Sequence, residues 1–487
     1  MNDPVWPQVL DALDRGDPAA ARSLLGTRPD RDPPLDRWVT ELLALALSDD
    51  AARPPREPDP TPNEPRDGPR RIGRTLVAAF EAGVALREGR VEELERCVGQ
   101  AADLVPTDRP WLVFRVASLL QAAFRFSGNP VWFERALAAC LAVGDRTEVP
   151  KLAVPARALA GNVFMLAGRL HRAVDLCDAA LSLADAAGLA DDPAVAMAHQ
   201  FRGYALFEWN RLDLARAALL RAWDRTTERH LGVRSGVARM MAEVLLTEGD
   251  GPAAAGWLDR LQATVTEPMT LRNREWLAAV RIRHQLATAP DREELDAWRR
   301  RHDYRVEALE ALSDRAIAAR LHEFDHLMAM LEAAAQWESL ARVAAVVERG
   351  SRPLRVGYLI RALTARAVAL EALGDGAEAA AVWAEAVRLG DDGSFVRVYI
   401  DGSPLRARLL HRAGEDPSLR PQARRILEAA GLRSNPAPAP LTDRQIEVLR
   451  LVSAGLSDRD AARKLGLSVA TLKTHLRAIY ERLGAKS

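Results

Sequence analysis

Short breaks recur along this chain at intervals of about 40 residues, and each lies between two apolar patterns of helical period. The breaks fall at Gly16, Gly89, Gly128, Gly168, Asn210, Gly249, Pro290, Gln336 and Gly374. From Gly89 onward the intervals are 39, 40, 42, 39, 41, 46 and 38 residues. A single helix pair cannot bury both of its faces. Pairs repeated at this period are therefore expected to stack into a solenoid with a concave surface.

The residue five positions after each break is small in most repeats. Alanine occupies six of these nine positions, and Leu94, Phe133 and Leu295 occupy the others. The six alanines are Ala21, Ala173, Ala215, Ala254, Ala341 and Ala379. A small side chain at this point predicts that the second helix of each pair approaches the first closely.

The composition also favours an all-α fold. Ala, Leu and Arg abound, aromatic residues make up only 5% of the chain, and alternating β-branched residues are nearly absent. Ala, Leu and Arg lose little conformational freedom on entering a helix. We predict an all-α solenoid of about eight helix pairs over residues 71–430. The array resembles the tetratricopeptide-like class, although its period is longer than the roughly 34 residues typical of that class.

Two proline-rich segments suggest the division into domains. Residues 49–70 contain seven prolines and no aliphatic residue larger than Ala, which predicts an extended connector after an N-terminal helix pair at 1–48. A second linker at 431–440, stiffened by proline, precedes a C-terminal module at 441–487. That module carries nine Lys and Arg against five Asp and Glu, whereas charges balance at 67 each over the whole chain.

The spacing of the cysteines and the hydropathy of the chain indicate in which cellular compartment the protein is expected. Cys97, Cys140 and Cys177 lie more than 30 residues apart, which argues against a disulfide framework and against close zinc-binding pairs and suggests core thiols in a reducing cytoplasm. The longest stretch without a charged side chain, Ala158–Gly168, is 11 residues and is too short to span a membrane. The first residues lack the pattern of a signal peptide. We therefore expect a soluble, cytoplasmic protein with no membrane contact.

The C-terminal module has the capping signals of three short helices. Thr442 with Gln445 three positions later forms a capping box for the first helix, which Gly455 ends. Ser457 caps the second, which stops at Gly466, and Ser468 caps a third that runs to about Leu483. Two helices joined by a three-residue turn predict a helix-turn-helix.

The third of these helices separates apolar from polar residues. Its apolar positions follow a 4, 3, 4 spacing and comprise Leu472, Leu476, Ile479 and Leu483. Lys473, Thr474 and Arg477 lie on the other side, where a helix in the DNA major groove presents donors to guanine. Ser468, Thr471 and the first N–H groups of the helix are placed for phosphates. An ordinary amphipathic helix with solvated basic residues fits the spacing equally well.

These residues resemble the LuxR-type helix-turn-helix of bacterial transcription regulators. LTDRQIEVLRLVSAGLS, the AARKLGLS turn and TLKTHLRAIYERLGA match that family's pattern almost position by position. The resemblance implies that Lys473, Thr474 and Arg477 face bases, while Arg459, Ser468 and Thr471 hold the DNA backbone. Ala461 stands where the family usually has Ile, which predicts a looser small core. The family's fourth helix is expected to be missing, because the sequence ends at Ser487.

A weaker resemblance extends upstream. The run from Gly374 through residues 393–414 is similar to the segment that joins repeats to the DNA module in maltose-regulator-like proteins. In that group the repeats form a sensor superhelix preceded by an ATPase module. Here none of the four lysines, at 151, 464, 473 and 486, follows a glycine, so no P-loop is predicted. We accordingly predict no cofactor.

One short motif would suit an enzyme. Residues 322–326 read H-E-x-x-H, a spacing that places two His on one helix face as zinc ligands. Charged Asp325 is unusual at its position, and both His project away from the predicted buried face, so a solvated helix surface is the preferred interpretation. That buried face comprises Ile317, Leu321, Phe324, Met328 and Leu331. Tryptophans are predicted to pack between repeats, including Trp209, Trp223, Trp257, Trp298 and Trp383.

The sequence therefore predicts a non-enzymatic transcription regulator, with activation as the expected sign. A small-molecule or protein effector on the repeat domain would control DNA binding at a promoter and thereby RNA polymerase. Homodimerisation is expected, because half-sites with two-fold symmetry are the usual way such helices gain affinity. The alternative is a repeat scaffold that binds a partner protein and whose degenerate C-terminal module does not read DNA.

Overall fold

A computed structural model of the 487-residue chain describes residues 5–26, 34–47, 54–58, 68–227, 230–264, 300, 304–352, 354–432, 443–453, 456–469 and 471–476. All regular structure in these ranges is helical, which confirms the all-α prediction. The chain divides into two compact units, Met1–Ala430 and Gly431–Ser487. No helix in the described ranges is both long and apolar enough to span a bilayer.

The first unit is built from antiparallel helix pairs. Its described helices are α1 (Val5–Asp14), α2 (Pro18–Gly26), α3 (Pro34–Leu47), α4 (Pro69–Glu88), α5 (Val91–Leu104), α6 (Pro110–Ser127), α7 (Pro130–Arg146), α8 (Pro150–Leu166), α9 (Leu170–Ala186), α10 (Ala196–Glu208), α11 (Leu212–Asp224), α12 (Leu231–Thr247), α13 (Gly251–Thr264), α14 (Val306–Glu310), α15 (Asp314–Ala319), α16 (Leu321–Ala333), α17 (Trp337–Ser351), α18 (Val356–Leu373), α19 (Gly376–Leu389), α20 (Arg397–Ile400), α21 (Leu405–Glu415) and α22 (Arg420–Ala429). A 3-10 turn, Pro193–Val195, precedes α10.

The chain reverses between paired helices through a residue in the left-handed region, and seven predicted breaks are confirmed. These are Gly16 (φ 71°), Gly89 (73°), Gly128 (68°), Gly168 (78°), Asn210 (59°), Gly249 (82°) and Gly374 (98°). The break predicted at Gln336 was one residue late, because Ala335 (φ 54°) takes the left-handed conformation and Gln336 is the N-cap of α17. Left-handed backbone favours Gly and Asn, so the Ala at 335 hid this break from sequence inspection. Pro290 lies outside the described residues.

Paired helices approach one another closely where the second carries a small residue, as predicted. A Cβ on Gly161 of α8 would lie 3.0 Å from the carbonyl oxygen of Ala173, and one on Gly203 of α10 would lie 3.4 Å from that of Ala215. Five of the six predicted alanines are buried, namely Ala21, Ala173, Ala215, Ala254 and Ala379. At the shifted break, Leu340 is fully buried and Ala341 is only half-buried. Leu295 lies outside the described residues.

The array closes on itself. The guanidinium of Arg355, which is 2% exposed, donates a hydrogen bond of 2.7 Å to the carbonyl oxygen of Phe124 and a second to that of Arg125. Val356 at the start of α18 packs so tightly on Gly168 that a Cβ there would lie 2.7 Å from it. The breaks after α6 and α8 are therefore covered by helices more than 180 residues later in the chain.

The same closure continues at the break after α10. The side-chain amide of Asn210 donates a hydrogen bond of 3.0 Å to the carbonyl oxygen of Ala429, and its oxygen accepts one of 3.0 Å from Arg397. The backbone N–H of Val396 donates to the carbonyl oxygen of Glu208 at 2.9 Å. Nothing in the repeat pattern predicted these contacts, since they join segments that are remote in sequence.

The N-terminal helices pack directly on the array. Three helices occupy this region rather than the single predicted pair, and they share a hydrophobic cluster with α4, α6 and α8. The carboxylate of Asp14 accepts hydrogen bonds from the Trp111 backbone N–H at 3.0 Å and from Arg109 at 3.1 Å. In the linker, the Glu57 carboxylate accepts a hydrogen bond of 3.2 Å from Arg74 of α4. Most other linker residues lie outside the described ranges.

Cysteines and tryptophans contribute to the core as predicted. All three cysteines are free and buried, and burial raises the pKa of Cys140 and of Cys177 to about 12. Trp383 is 1% exposed and Trp257 is 7% exposed. Trp209 and Trp223 are partly buried against neighbouring clusters, and Trp298 lies outside the described residues.

The interpretation of the H-E-x-x-H residues as a solvated helix surface was wrong. The five apolar residues predicted to form its buried face are buried, but the opposite face is not solvated, because Glu323 and His326 are each 3% exposed. The Tyr304 hydroxyl donates a hydrogen bond of 2.9 Å to the Glu323 carboxylate, and Arg320 donates another of 2.9 Å. Tyr304, which is 2% exposed, therefore covers part of this face at Glu323. No group of three or more His, Cys, Asp and Glu able to hold a metal ion occurs among the described residues.

Candidate nucleic-acid interface

The C-terminal unit contains two helices before the third, α23 (Asp443–Ser453) and α24 (Asp458–Leu465). The Ser457 hydroxyl oxygen accepts a hydrogen bond of 3.2 Å from the Asp460 N–H, which is the predicted N-cap. Gly466 ends α24 in the left-handed conformation (φ 64°), and the Leu467 N–H donates to the Ala462 carbonyl oxygen at 2.9 Å. These bonds satisfy helix-end groups and turn the chain sharply. Thr442 and Gly455 lie outside the described residues.

The third helix starts where the sequence predicts. Ser468 caps it, because its hydroxyl oxygen accepts a hydrogen bond of 3.1 Å from the Thr471 N–H. The two hydroxyl oxygens of Ser468 and Thr471 lie 2.8 Å apart and share a further hydrogen bond. Residues 471–476 are helical, and residues 477–487 lie outside the described ranges. Both hydroxyls are exposed at the beginning of the helix and remain accessible to a phosphate oxygen.

A small apolar core holds the three helices together. It consists of Val448, Ala461, Ala462, Leu472 and Leu476, each at most 8% exposed. Leu472 and Leu476 confirm the described part of the predicted apolar face. Ala461 is fully buried, so the position that usually carries Ile in the resembling family is an interior one here as well. Burying Ala there instead of a larger residue removes apolar contact area from a core that is already small.

The opposite side of the third helix is polar and exposed. Lys473 and Thr474 are both exposed, and the same is true of Arg459 on α24. Within the described ranges no ion pair involves Lys473 or Arg459, whereas Arg463 pairs with Asp460 at 2.7 Å. Lys473 and Arg459 therefore have no carboxylate that competes with a phosphate or a base among these residues. Arg477 lies outside the described residues.

Sequence reasoning missed two exposed residues beside this surface. Lys464, near the end of α24, is exposed and forms no ion pair among the residues described. Val469, immediately after the Ser468 cap, is 38% exposed. Both residues lie beside the predicted turn in the sequence, and this position could have identified them as neighbours of the candidate surface.

The fold and this surface define a helical-repeat protein that carries a helix-turn-helix module. Two family models match the chain: the MalT-like TPR region over residues 76–416, and the bacterial regulatory proteins of the luxR family over residues 439–487. The first match covers more than two thirds of the chain. The chain belongs to the family of the MalT-like TPR region, with a luxR-family module at its C-terminal end.

Two curated proteins are similar in sequence to this chain. The HTH-type transcriptional regulator MalT of Serratia proteamaculans (strain 568) is 23% identical over 453 residues, which cover 86% of this chain and 49% of the relative. A protein of Mycobacterium tuberculosis (strain ATCC 25618 / H37Rv) named "Putative HTH-type transcriptional regulator" is 30% identical over 253 residues, covering 51% of this chain and 24% of the relative. The chain thus spans at most about half the length of these relatives.

Proposed function

We propose that this protein is a sequence-specific, DNA-binding transcription regulator. The observation that carries the proposal is that the third helix of the C-terminal unit has one buried apolar face and one exposed polar face. Leu472 and Leu476 bury one face in the core, while Lys473 and Thr474 present an exposed polar face with no described carboxylate paired to the lysine. A helix of this kind fits the major groove, where its exposed side chains reach base edges. The names of both relatives given above support the same function.

Each residue has a distinct role in this proposal. Lys473 and Thr474 contact bases, because they lie on the exposed side of the recognition helix. Arg477, which lies outside the described residues, is assigned the same role because it follows Lys473 by one helical turn in the sequence. Arg459, Ser468 and Thr471 contact the DNA backbone. The exposed hydroxyls of Ser468 and Thr471 lie at the start of that helix, and Arg459 is an exposed cation on α24. Backbone contacts fix the register of the protein on DNA, whereas base contacts select the sequence.

In the same proposal, the repeat array regulates DNA binding by the C-terminal module. A small-molecule or protein effector binds the array in the cytoplasm and changes DNA binding by the C-terminal module. The expected outcome is activation through RNA polymerase at a promoter, with a homodimer reading two half-sites. Support for this part comes from the MalT-like repeat region, which makes up most of the chain.

Capture of genomic DNA tests the base contacts. Purified full-length protein is incubated with sheared DNA from its own genome, and the retained fragments are sequenced. We expect one enriched motif that disappears in the Lys473→Ala/Arg477→Ala variant. Arg459→Ala is the matched control: it should weaken binding to all fragments and reduce the salt slope by about one without changing the motif.

Two results would contradict this assignment. An identical motif in the double variant would remove Lys473 and Arg477 from the base contacts. No enrichment by the wild-type protein, combined with retention of a partner protein by the array, would favour a scaffold with a C-terminal module that does not read DNA.

A further inference from the structure

A cavity of about 420 Å³ lies between two parts of the repeat array that are remote in sequence. One wall comes from the end of α4 and the start of α5, around Gly89, and the other comes from α15 and the beginning of α16. Arg315 of α15 joins the two walls, because its guanidinium pairs with Glu92 at 3.8 Å and also with Glu95. A volume of this size is typical of pockets that bind small molecules.

Glu323 lines this cavity, although the residue is only 3% exposed. Its Oε2 accepts both of the hydrogen bonds that Tyr304 and Arg320 donate, each of 2.9 Å. Its Oε1 accepts none from the described residues and lies 3.8 Å from Nε2 of His322, which is beyond hydrogen-bond distance. A buried carboxylate oxygen without a donor is costly, so Oε1 is an acceptor for a donor group that enters the cavity.

Arg87 adds a positive charge to the same cavity. It is exposed in the last turn of α4, lines the cavity and forms no ion pair with any residue that the structure describes. The other described charged side chains of the walls already have partners, as Glu88 does in Arg90 at 2.6 Å. Among the described lining residues, the cavity therefore has one unpaired guanidinium and one carboxylate oxygen without a donor.

We propose that this cavity binds a free amino acid and that this amino acid is the effector of the array, a role that rests on the function proposed above. The carboxylate of the ligand pairs with the planar fork of Arg87, and its ammonium group donates to Oε1 of Glu323. A simple anion would leave Oε1 without a donor, and a simple cation would leave Arg87 without a partner, whereas a zwitterion satisfies both. Val91, Ala316 and Ala319 give the ligand side chain an apolar surface.

Thermal unfolding of the full-length protein with each of the twenty common L-amino acids at millimolar concentration identifies the ligand, and calorimetric titration then gives its dissociation constant. We expect at least one amino acid to raise the unfolding temperature and to bind saturably. The N-acetyl derivative of that amino acid lacks the ammonium group, and its amide lacks the carboxylate. Each derivative should therefore bind at least about tenfold more weakly.

Two variants test the assigned residues. Arg87→Gln should weaken binding by about tenfold or more, because it removes a charge-assisted contact at an exposed position where folding is unaffected. Ala316→Leu should have a similar effect, because the larger side chain fills part of the cavity without a change of charge. Arg96→Gln is the matched control: Arg96 is exposed on α5 and is not among the residues that line the cavity, so the affinity should not change.

Three results would overturn the site: no saturable binding of any of the twenty amino acids, binding that survives both Arg87→Gln and Ala316→Leu, or equal affinity for the N-acetyl derivative. None of these measurements contains DNA. Enrichment of a DNA motif by a protein that binds no amino acid would overturn this site and leave the proposed DNA binding intact. Genomic capture repeated with the bound amino acid tests the effector role, which unchanged retention of the motif would overturn.

Discussion

The indole N–H of Trp209 donates a hydrogen bond of 2.9 Å to the carbonyl oxygen of Gly393, which lies 184 positions later in the chain. The ring of His171 stacks on the same indole with a centroid distance of 4.8 Å, and its Nε2 lies 3.0 Å from the Ser394 hydroxyl. Two successive breaks of the array therefore contact one later loop. Closure of this kind makes the array one packed unit, in contrast to an open solenoid in which each repeat contacts only its neighbours.

Arg355→Met tests the closure. The substitution removes the hydrogen bonds from a buried guanidinium to the carbonyl oxygens of Phe124 and Arg125. We expect the free energy of unfolding to fall by roughly 1.5–3 kcal/mol, the usual loss for hydrogen bonds to a charged group. Urea unfolding followed by circular dichroism measures it. Arg352→Met, which removes exposed ion pairs with Glu348 and Glu385, should cost less than about 1 kcal/mol. Equal losses in the two variants would show that Arg355 does not hold the closure.

Gly203→Ala tests the close approach within a helix pair. The added Cβ would lie 2.9 Å from the Leu219 side chain, so Leu219 must move, and we expect a loss of about 1–3 kcal/mol in unfolding free energy. Gly256→Ala in α13 meets nothing within 4 Å and should stabilise the protein by up to about 1 kcal/mol. Thermal unfolding of both variants gives the comparison. Stabilisation by both substitutions would mean that the pair can separate without cost.

His199 predicts a loss of stability in mild acid. Burial lowers its pKa to about 4 from the ordinary 6.5, and the charges of Arg225, Arg221 and Arg202 act in the same direction. The unfolded chain therefore binds a proton before the folded chain does. This contribution is fully present above pH 6.5 and is lost as the pH falls to about 4, with a total of about 3 kcal/mol.

The measurement for His199 is urea unfolding at several pH values between 7 and 4. His199→Gln cannot be protonated in this range, so its unfolding free energy should fall by about 3 kcal/mol less than that of the wild type. Parallel curves for the two proteins would assign the acid sensitivity to other groups.

Ser468→Ala and Ser457→Ala separate capping from DNA contact. Each serine caps a helix of the C-terminal unit, and each substitution should cost about 1 kcal/mol of helix stability. Only Ser468 lies at the start of the recognition helix, where it also bonds to the Thr471 hydroxyl. DNA affinity measured at two salt concentrations should fall further for Ser468→Ala. Equal affinities for the two variants would leave Ser468 with a capping role alone.

Local features were predictable from the sequence because short-range chemistry decides them. The left-handed turns at Gly89 and Gly374 and the caps at Ser457 and Ser468 depend on a few adjacent residues, so each could be located directly. The apolar spacing of Leu472 and Leu476 likewise identified a buried helix face. The one displaced break, at Ala335, arose where the residue in the left-handed conformation was neither Gly nor Asn.

Contacts between remote segments were decided only by the tertiary structure. His326 lies on a helix face that the sequence predicts to be solvated, and its burial depends on which other segments pack over that helix. The hydrogen bonds of Arg355 to Phe124 and of Trp209 to Gly393 likewise join residues more than 100 positions apart. Helical periodicity records which face of a helix is apolar, but not which distant element covers it. The sequence therefore determined the repeats and the helix-turn-helix pattern, whereas the closure of the array was decided by tertiary packing between segments remote in sequence.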